Sequence, residues 1–174
     1  MNPSLYYDRF DSPVGPLVLA IDGAGLRHVV FEHARHAPDM TGWRHDPAAL
    51  APFRDQFLAF LHGRRRDFDL PLAPQGTPFQ HEVWRALRQV PFGATTSYAQ
   101  LAARIGRPAA VRAVGAANGR NPLAIVVPCH RVIGRDGRLT GFAGGLAAKA
   151  TLLALEGHAL QHAAAAATAA THCR

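Results

Sequence analysis

The sequence is poor in cysteine: 174 residues hold two, Cys129 and Cys173. Two thiols, one of them in the last residues, make no disulfide framework, so reduced thiols and a cytoplasmic location are expected. No long uncharged apolar run occurs, which excludes a membrane-spanning helix by sequence pattern and leaves no membrane partner expected. The start, MNPSLYYDRF, lacks a charged segment followed by an apolar core, so no signal peptide is expected. Paired Cys/His spacings of a tetrahedral zinc site are missing too, and no metal is expected. Acidic residues are scarce: 12 Asp and Glu against 19 Lys and Arg give a net charge of +7 and a pI of about 10.7. Such an excess is the usual footprint of a polyanion partner, most often nucleic acid. A chain that simply favours arginine and alanine, as this one does, would show the same excess. What is present in quantity is apolar residue, 48% of the chain. That suffices to fold one good-sized domain or two small ones by burial alone.

The pattern changes character at the Pro/Gly-rich LAPQGTP, residues 72–78. Before it, LYYDRFDSP, GPLVLAIDG and GLRHVVFE read as three strands separated by the turns SPVG and DGAG. A helix follows, with Asp46 at its N-cap and Phe53, Phe57 and Phe60 or Leu61 on one face. RDFDLPL reads as a returning strand. After the linker the pattern is helical. Thr77-Pro78 opens a helix with a Thr cap and Pro at the first position. A short helix capped by Ser97 and stopped by Gly106 comes next, then one that Pro108 opens and that ends near Asn118-Gly119. Two short helices around a tight turn match a helix-turn-helix. A final helix presents Leu146, Leu152, Leu153 and Leu155 for burial. The domains expected are 1–75, 76–158 and an Ala-rich tail, 159–174, either frayed helix or disordered.

The second of the paired helices has a face of small residues: Ala109, Ala110, Ala113, Gly115, Ala116 and Ala117. Reading bases in the major groove takes long polar side chains, which this face lacks. Small residues admit a helix into a narrow space such as the minor groove, where the single long cation, Arg112, would hold a phosphate or enter the base stack. Tight packing on a neighbouring helix, with Arg112 in solvent, accounts for the same face equally well.

The densest chemistry lies in AIVVPCHRVIG, residues 124–134. The apolar run reads as a buried strand that Pro128 terminates. A lone Cys129 is by default a small core residue. At a strand end, beside His130 and Arg131, it is equally placed to be a thiol whose neighbours favour the thiolate. His130 helps Cys129 only if the backbone turns there, because successive side chains of an extended chain point apart. A cysteine hydrolase built on Cys129, His130 and Glu156 is the competing chemistry.

Residues 121–157, NPLAIVVPCHRVIGRDGRLTGFAGGLAAKATLLALEG, and residues 77–122 together resemble the O6-alkylguanine-DNA alkyltransferases, whose hallmark segment is present as VPCHRV. Residues 1–75 match that family only in their order of strands and helix. The resemblance implies an α+β fold, with an N-terminal ribonuclease-H-like domain and a C-terminal winged helix-turn-helix-like domain carrying the cysteine. It implies direct repair: the alkyl group of O6-alkylguanine in double-stranded DNA, and as a second candidate O4-alkylthymine, moves irreversibly to Cys129 after the nucleotide is flipped out. A monomer working once, without a cofactor, is expected. Non-catalytic relatives that bind damage commonly carry tryptophan at the cysteine position, so Cys129 argues against that class.

Carried over position by position, the resemblance makes Cys129 the nucleophile, His130 its base through a water, and Glu156 the carboxylate that orients His130. Asn121 braces the backbone between helix and active-site segment. Tyr98 stands beside the flipped nucleotide's phosphate and guanine N3. Arg112 fills the gap in the stack, with Ala110, Ala113 and Gly115 on the groove-facing helix. Val127, Pro128, Phe142, Ala143 and Lys149 surround the guanine. Phe142 replaces the tyrosine of many members, and Ala143 the serine of some. No role for Arg131 follows beyond structural anchoring.

Overall fold

The computed structural model describes residues 4–158. The Ala-rich tail expected at 159–174 lies outside the described residues, as does Cys173.

Three strands form as their patterns predict: β1 (Tyr6–Phe10), β2 (Leu17–Asp22) and β3 (Gly25–Phe31). A two-residue β4 (Arg44–His45) that the sequence pattern did not reveal pairs parallel to β1, giving the order β3-β2-β1-β4. The β1–β2 turn closes where Gly15 takes a φ of +95° and Ser12 accepts its N–H through the backbone carbonyl. Alternation places Leu17, Leu19, Val29 and Phe31 on one face, where they share a buried cluster with Leu50, Phe57 and Phe60 of α1 (Pro47–Leu61). Asp46 caps α1 by accepting the Ala49 N–H at 3.0 Å.

The segment expected as a returning strand makes only a single bridge, Leu26 to Leu72. Pro71 and Pro74 remove the N–H donors that a continuing ladder requires. Beyond it, α2 (Pro78–Arg88) opens on a full capping box between Thr77 and Gln80, and α3 (Tyr98–Arg104) on another between Ser97 and Gln100. The next helix, α4 (Val111–Gly119), starts three residues later than the position of Pro108 suggests. Pro108 instead occupies a turn in which the Ala110 N–H reaches the Arg107 carbonyl at 2.9 Å, a place proline favours. The helix-turn-helix packs on α2 through the Trp84 indole N–H, which donates to the Ala117 carbonyl at 2.9 Å.

The apolar run at 124–127 is a turn, not a strand. Only Leu123 bridges to the sheet, opposite Val29, and the Val127 N–H folds back onto the Leu123 carbonyl. Ile125 has a φ of +76°, strained for a β-branched residue. Pro122 and Pro128 bracket the turn, and the Asn121 side chain takes up backbone groups on both sides of it. After Pro128 the chain makes one 3-10 turn, Cys129–Arg131, then a long loop and α5 (Gly145–Leu155). The loop is tied back where Thr96 bridges Val132. In α5, Leu152 and Leu153 are buried as expected, but Leu146 is 51% exposed, because it lies in the first turn beyond the core.

Candidate active site

Cys129, His130 and Arg131 are all buried in the 3-10 turn. The chain does turn here, which an extended segment would not do. Glu156, just past α5, closes the group: its Oε1 lies 2.8 Å from His130 Nε2. Arg131 sits on the same carboxylate, with Nε 2.8 Å from Oε2 and Nη2 2.8 Å from Oε1, while Nη1 donates to the Val90 carbonyl at 2.6 Å. The Gly93 N–H supplies a further hydrogen bond to Oε2 at 3.0 Å. Arg131 is thus a buried clamp that ties Glu156 to the α2–α3 connection. Sequence reasoning left it a structural anchor without a named partner, because that partner is 25 residues away and nothing local points to it.

Burial by itself would raise the Glu156 carboxyl, but hydrogen bonds from His130 and Arg131 outweigh it and hold the pKa at about 2. Burial pushes His130 below its usual value, against the support of Glu156. Burial also raises Cys129, opposed by a hydrogen bond from Asn121 and the charge of Lys149. The expectation that neighbouring cations would favour the thiolate is therefore corrected: desolvation dominates and the resting group is a thiol. With Glu156 ionised, the His130 proton belongs on Nε2, which leaves Nδ1 as the unprotonated nitrogen. That Nδ1 is buried and has no hydrogen-bond partner among the described residues.

Asn121 donates through Nδ2 to the Val127 carbonyl at 2.8 Å and accepts the Leu123 N–H at 2.9 Å. It fixes both ends of the turn that delivers Cys129. Lys149 is fully buried rather than lining open space, because its ammonium donates to the Val132 and Thr140 carbonyls at 2.5 and 3.0 Å. Burial lowers its pKa to about 8, partly offset by Cys129. The ring of Phe142 stands edge-on to Phe31 of β3 at 5.3 Å and to His130 at 6.4 Å, so the sheet supports the active-site loop. Gly144 touches the same Phe31 so closely that a Cβ would meet the ring at 2.7 Å. Ala143 beside it is exposed, and Val127 and Pro128 are buried.

Along the helix-turn-helix, Arg112 and Ala113 are exposed on α4, Ala110 and Gly115 partly so, while Ala117 is turned into the protein. Tyr98 is half-buried at the start of α3, its hydroxyl 3.4 Å from Asn118 Nδ2. Small residues on this helix therefore serve both sides: Ala117 for packing on α2, the others at the surface.

Two family models match in tandem. Residues 5–74 match the ribonuclease-like domain of 6-O-methylguanine DNA methyltransferase, and residues 78–158 match its DNA-binding domain. The methylated-DNA–protein-cysteine methyltransferase of Mycobacterium tuberculosis is 47% identical over 152 residues, covering 87% of this chain and 92% of the relative. That of Methanosarcina acetivorans is 47% identical over 156 residues, covering 88% and 99%. The crystal structure of M. tuberculosis OGT in complex with DNA superposes with a TM-score of 0.82 at 47% identity, covering 87% of this chain and 92% of the other. The α+β architecture, with a ribonuclease-like sheet domain ahead of a helical DNA-binding domain, is shared, and the chain belongs to the methylated-DNA–protein-cysteine methyltransferase family.

Proposed function

We propose that the protein repairs alkylated DNA directly: Cys129 takes the alkyl group from O6 of a guanine flipped out of the duplex. The observation that carries this reading is the buried pair in which Glu156 holds His130 by Nε2 and leaves Nδ1 as a neutral, unpartnered base one residue along the turn from a protonated thiol. The Cys129 proton passes to His130 Nδ1 through a water. The sulfur attacks the alkyl carbon as the carbon–O6 bond breaks, its electron pair leaving on the guanine. Tyr98 gives the departing guanine a proton, directly or by relay, and regains one from solvent. Glu156 balances the imidazolium that forms. The product is a thioether, which hydrolysis does not reverse, so each molecule acts once and no cofactor takes part.

The remaining residues position the partners. Ala110, Ala113 and Gly115 let α4 approach the minor groove, and Arg112 fills the gap left by the extruded nucleotide. Backbone groups at Val127, Cys129 and Ala143 frame the guanine, with Pro128 and Phe142 as apolar walls. Asn121 holds the turn, and Lys149 holds the loop at 133–144 through its two carbonyls. We place the boundary between the sheet domain and the DNA-binding domain near residue 75. The reaction needs a reduced thiol, which suits the cytoplasm, and a single chain contains every group it uses. Mass spectrometry after incubation with an O6-methylguanine duplex should find one methyl added, on the peptide containing Cys129. Methylation elsewhere, or continued turnover beyond one equivalent, refutes the reading.

A further inference from the structure

Beside the Arg131–Glu156 pair, sharing Pro128 with the proposed guanine site, lies a cavity of about 220 Å³ to which the proposed reaction assigns no ligand. Three arginines line it: Arg66 from the run GRRRD after α1, Arg88 at the end of α2, and Arg131. Arg66 and Arg88 are exposed, and no carboxylate among the described residues is within ion-pair distance of either. Asp67 also lines the space, but its ion-pair partner is Arg65, at 3.9 Å, and its side chain is 91% exposed. Phe92 orders two of the three cations: the Arg66 and Arg131 guanidinium carbons lie 5.4 and 6.0 Å from its ring centre.

Arg131 supplies the decisive detail. A guanidinium has five N–H groups. Glu156 takes Nε–H and one on Nη2, and Val90 takes one on Nη1. Two N–H groups of a buried side chain that lines the cavity thus have no acceptor among the described residues. A buried donor left without an acceptor is costly, and an anion is the natural acceptor here. Two guanidiniums with no carboxylate partner, beside a third that Glu156 only partly satisfies, suit a phosphate better than a singly charged carboxylate. Phe68 and Val126 add apolar wall on which a sugar can rest.

We infer that this cavity is a nucleotide-phosphate site, with the phosphate on Arg66, Arg88 and the free N–H groups of Arg131 and the sugar against Phe68 and Val126. A free nucleotide and an undamaged single strand both present that chemistry. The intact protein is titrated with deoxyguanosine monophosphate, a short undamaged single strand and inorganic phosphate, following the Arg131 Nε–H resonance by NMR. The same titrations are run on Arg66→Ser/Arg88→Ser, whose changes lie at the surface. The nucleotide should shift the Arg131 resonance, and the double variant should bind it at least about tenfold more weakly, consistent with the loss of charge-assisted hydrogen bonds. Tighter binding of the strand assigns the site to nucleic acid, and tighter binding of the nucleotide to the free form. The inference is overturned if Arg131 does not respond, if the double variant binds as the parent does, or if inorganic phosphate binds as tightly as the nucleotide. Methylation of Cys129 by saturating lesion duplex should be unchanged in the double variant. That readout tests the repair reaction separately, so either idea can fail alone.

Discussion

Each half of the molecule buries a carboxylate between an arginine and a histidine, and the two groups do different work. In the sheet domain, Asp8 of β1 lies 2.5 Å from Arg54 of α1 and 3.4 Å from His45 of β4. In the DNA-binding domain, Glu156 lies 2.8 Å from both Arg131 and His130. Residue types are alike and both carboxylates are buried, but their histidines differ in distance and depth. The His45 side chain is 58% exposed, whereas that of His130 is fully buried. Asp8, itself buried, ties a helix to a sheet through an arginine and a histidine that both keep contact with solvent. Glu156 holds a histidine and an arginine that are themselves buried, and in the proposed reaction the far nitrogen of that histidine takes the thiol proton. A carboxylate, an arginine and a histidine are therefore not a catalytic signature by themselves. What distinguishes the second group is the burial of all its members, together with the proposed nucleophile in the same 129–131 turn.

The largest effect comes from removing what only the second group has. Cys129→Ser should abolish methyl transfer from a labelled duplex while leaving DNA binding measurable, and residual transfer would place the nucleophile elsewhere. Next in size is a matched pair of histidine changes. His130→Gln should slow single-turnover transfer by about 10² to 10⁴ with nearly unchanged DNA affinity, the range expected for losing a general base. His45→Gln should leave the rate within about twofold, since no solvent-facing histidine at a sheet edge reaches the reaction. Equal slowing by both would erase the distinction drawn between the groups.

Arginine changes should separate the groups by stability. Arg131→Met leaves Glu156 buried without its main counter-charge, which costs about 3–5 kcal/mol. Arg54→Met leaves the buried Asp8 with the exposed His45 and the solvent that Arg54 admits as its remaining partners, so a loss of about 1–2 kcal/mol is expected after screening. Urea unfolding of both variants measures the contrast. Similar losses would mean that depth is not what sets the worth of these pairs.

Sequence reading reached the parts of this comparison that local chemistry dictates. The caps at Asp46, Thr77 and Ser97 are side chain to backbone contacts within three residues, and each stands where the pattern put it. β1 to β3 followed from alternation between turns. Composition misled at 124–127, where four apolar residues look like a strand, because the side chain of Asn121 and two prolines outweigh their β preference. It misled again at 66–72, where prolines deny the ladder its donors. Glu156 entered the local reading only as a formal third member of a Cys–His group and gained its role from the family resemblance, and the partner of Arg131 did not come into view at all. Both depend on a packing of α5 against the 129–131 turn that no local pattern encodes. Phe31 reaching across from β3 to support Phe142 and Gly144 is hidden for the same reason.

The smallest and most diagnostic effect is a displacement along the pH axis. His130 has to be neutral to accept the thiol proton, and burial places its pKa below the usual 6.5. Transfer should therefore be flat near neutrality and fall only as pH drops through a midpoint below 6.5. Glu156 supports the charged imidazole, so Glu156→Gln should move that midpoint to still lower pH, by about one unit or less, while the plateau falls because the imidazolium loses its counter-charge. Stability changes in the same acid range and must be followed in parallel. A depressed His130 means that the unfolded chain binds the proton first, so stability begins to fall as pH drops through 6.5. The Glu156 contribution is complete above its ordinary 4.5 and is lost as pH falls through about 2. Rates compared above pH 4.5 keep the Glu156 ion pair ionised, so a loss of rate there reports on His130 rather than on Glu156. A midpoint that rises in Glu156→Gln, or one above 6.5 in the parent, would show that His130 is not the base.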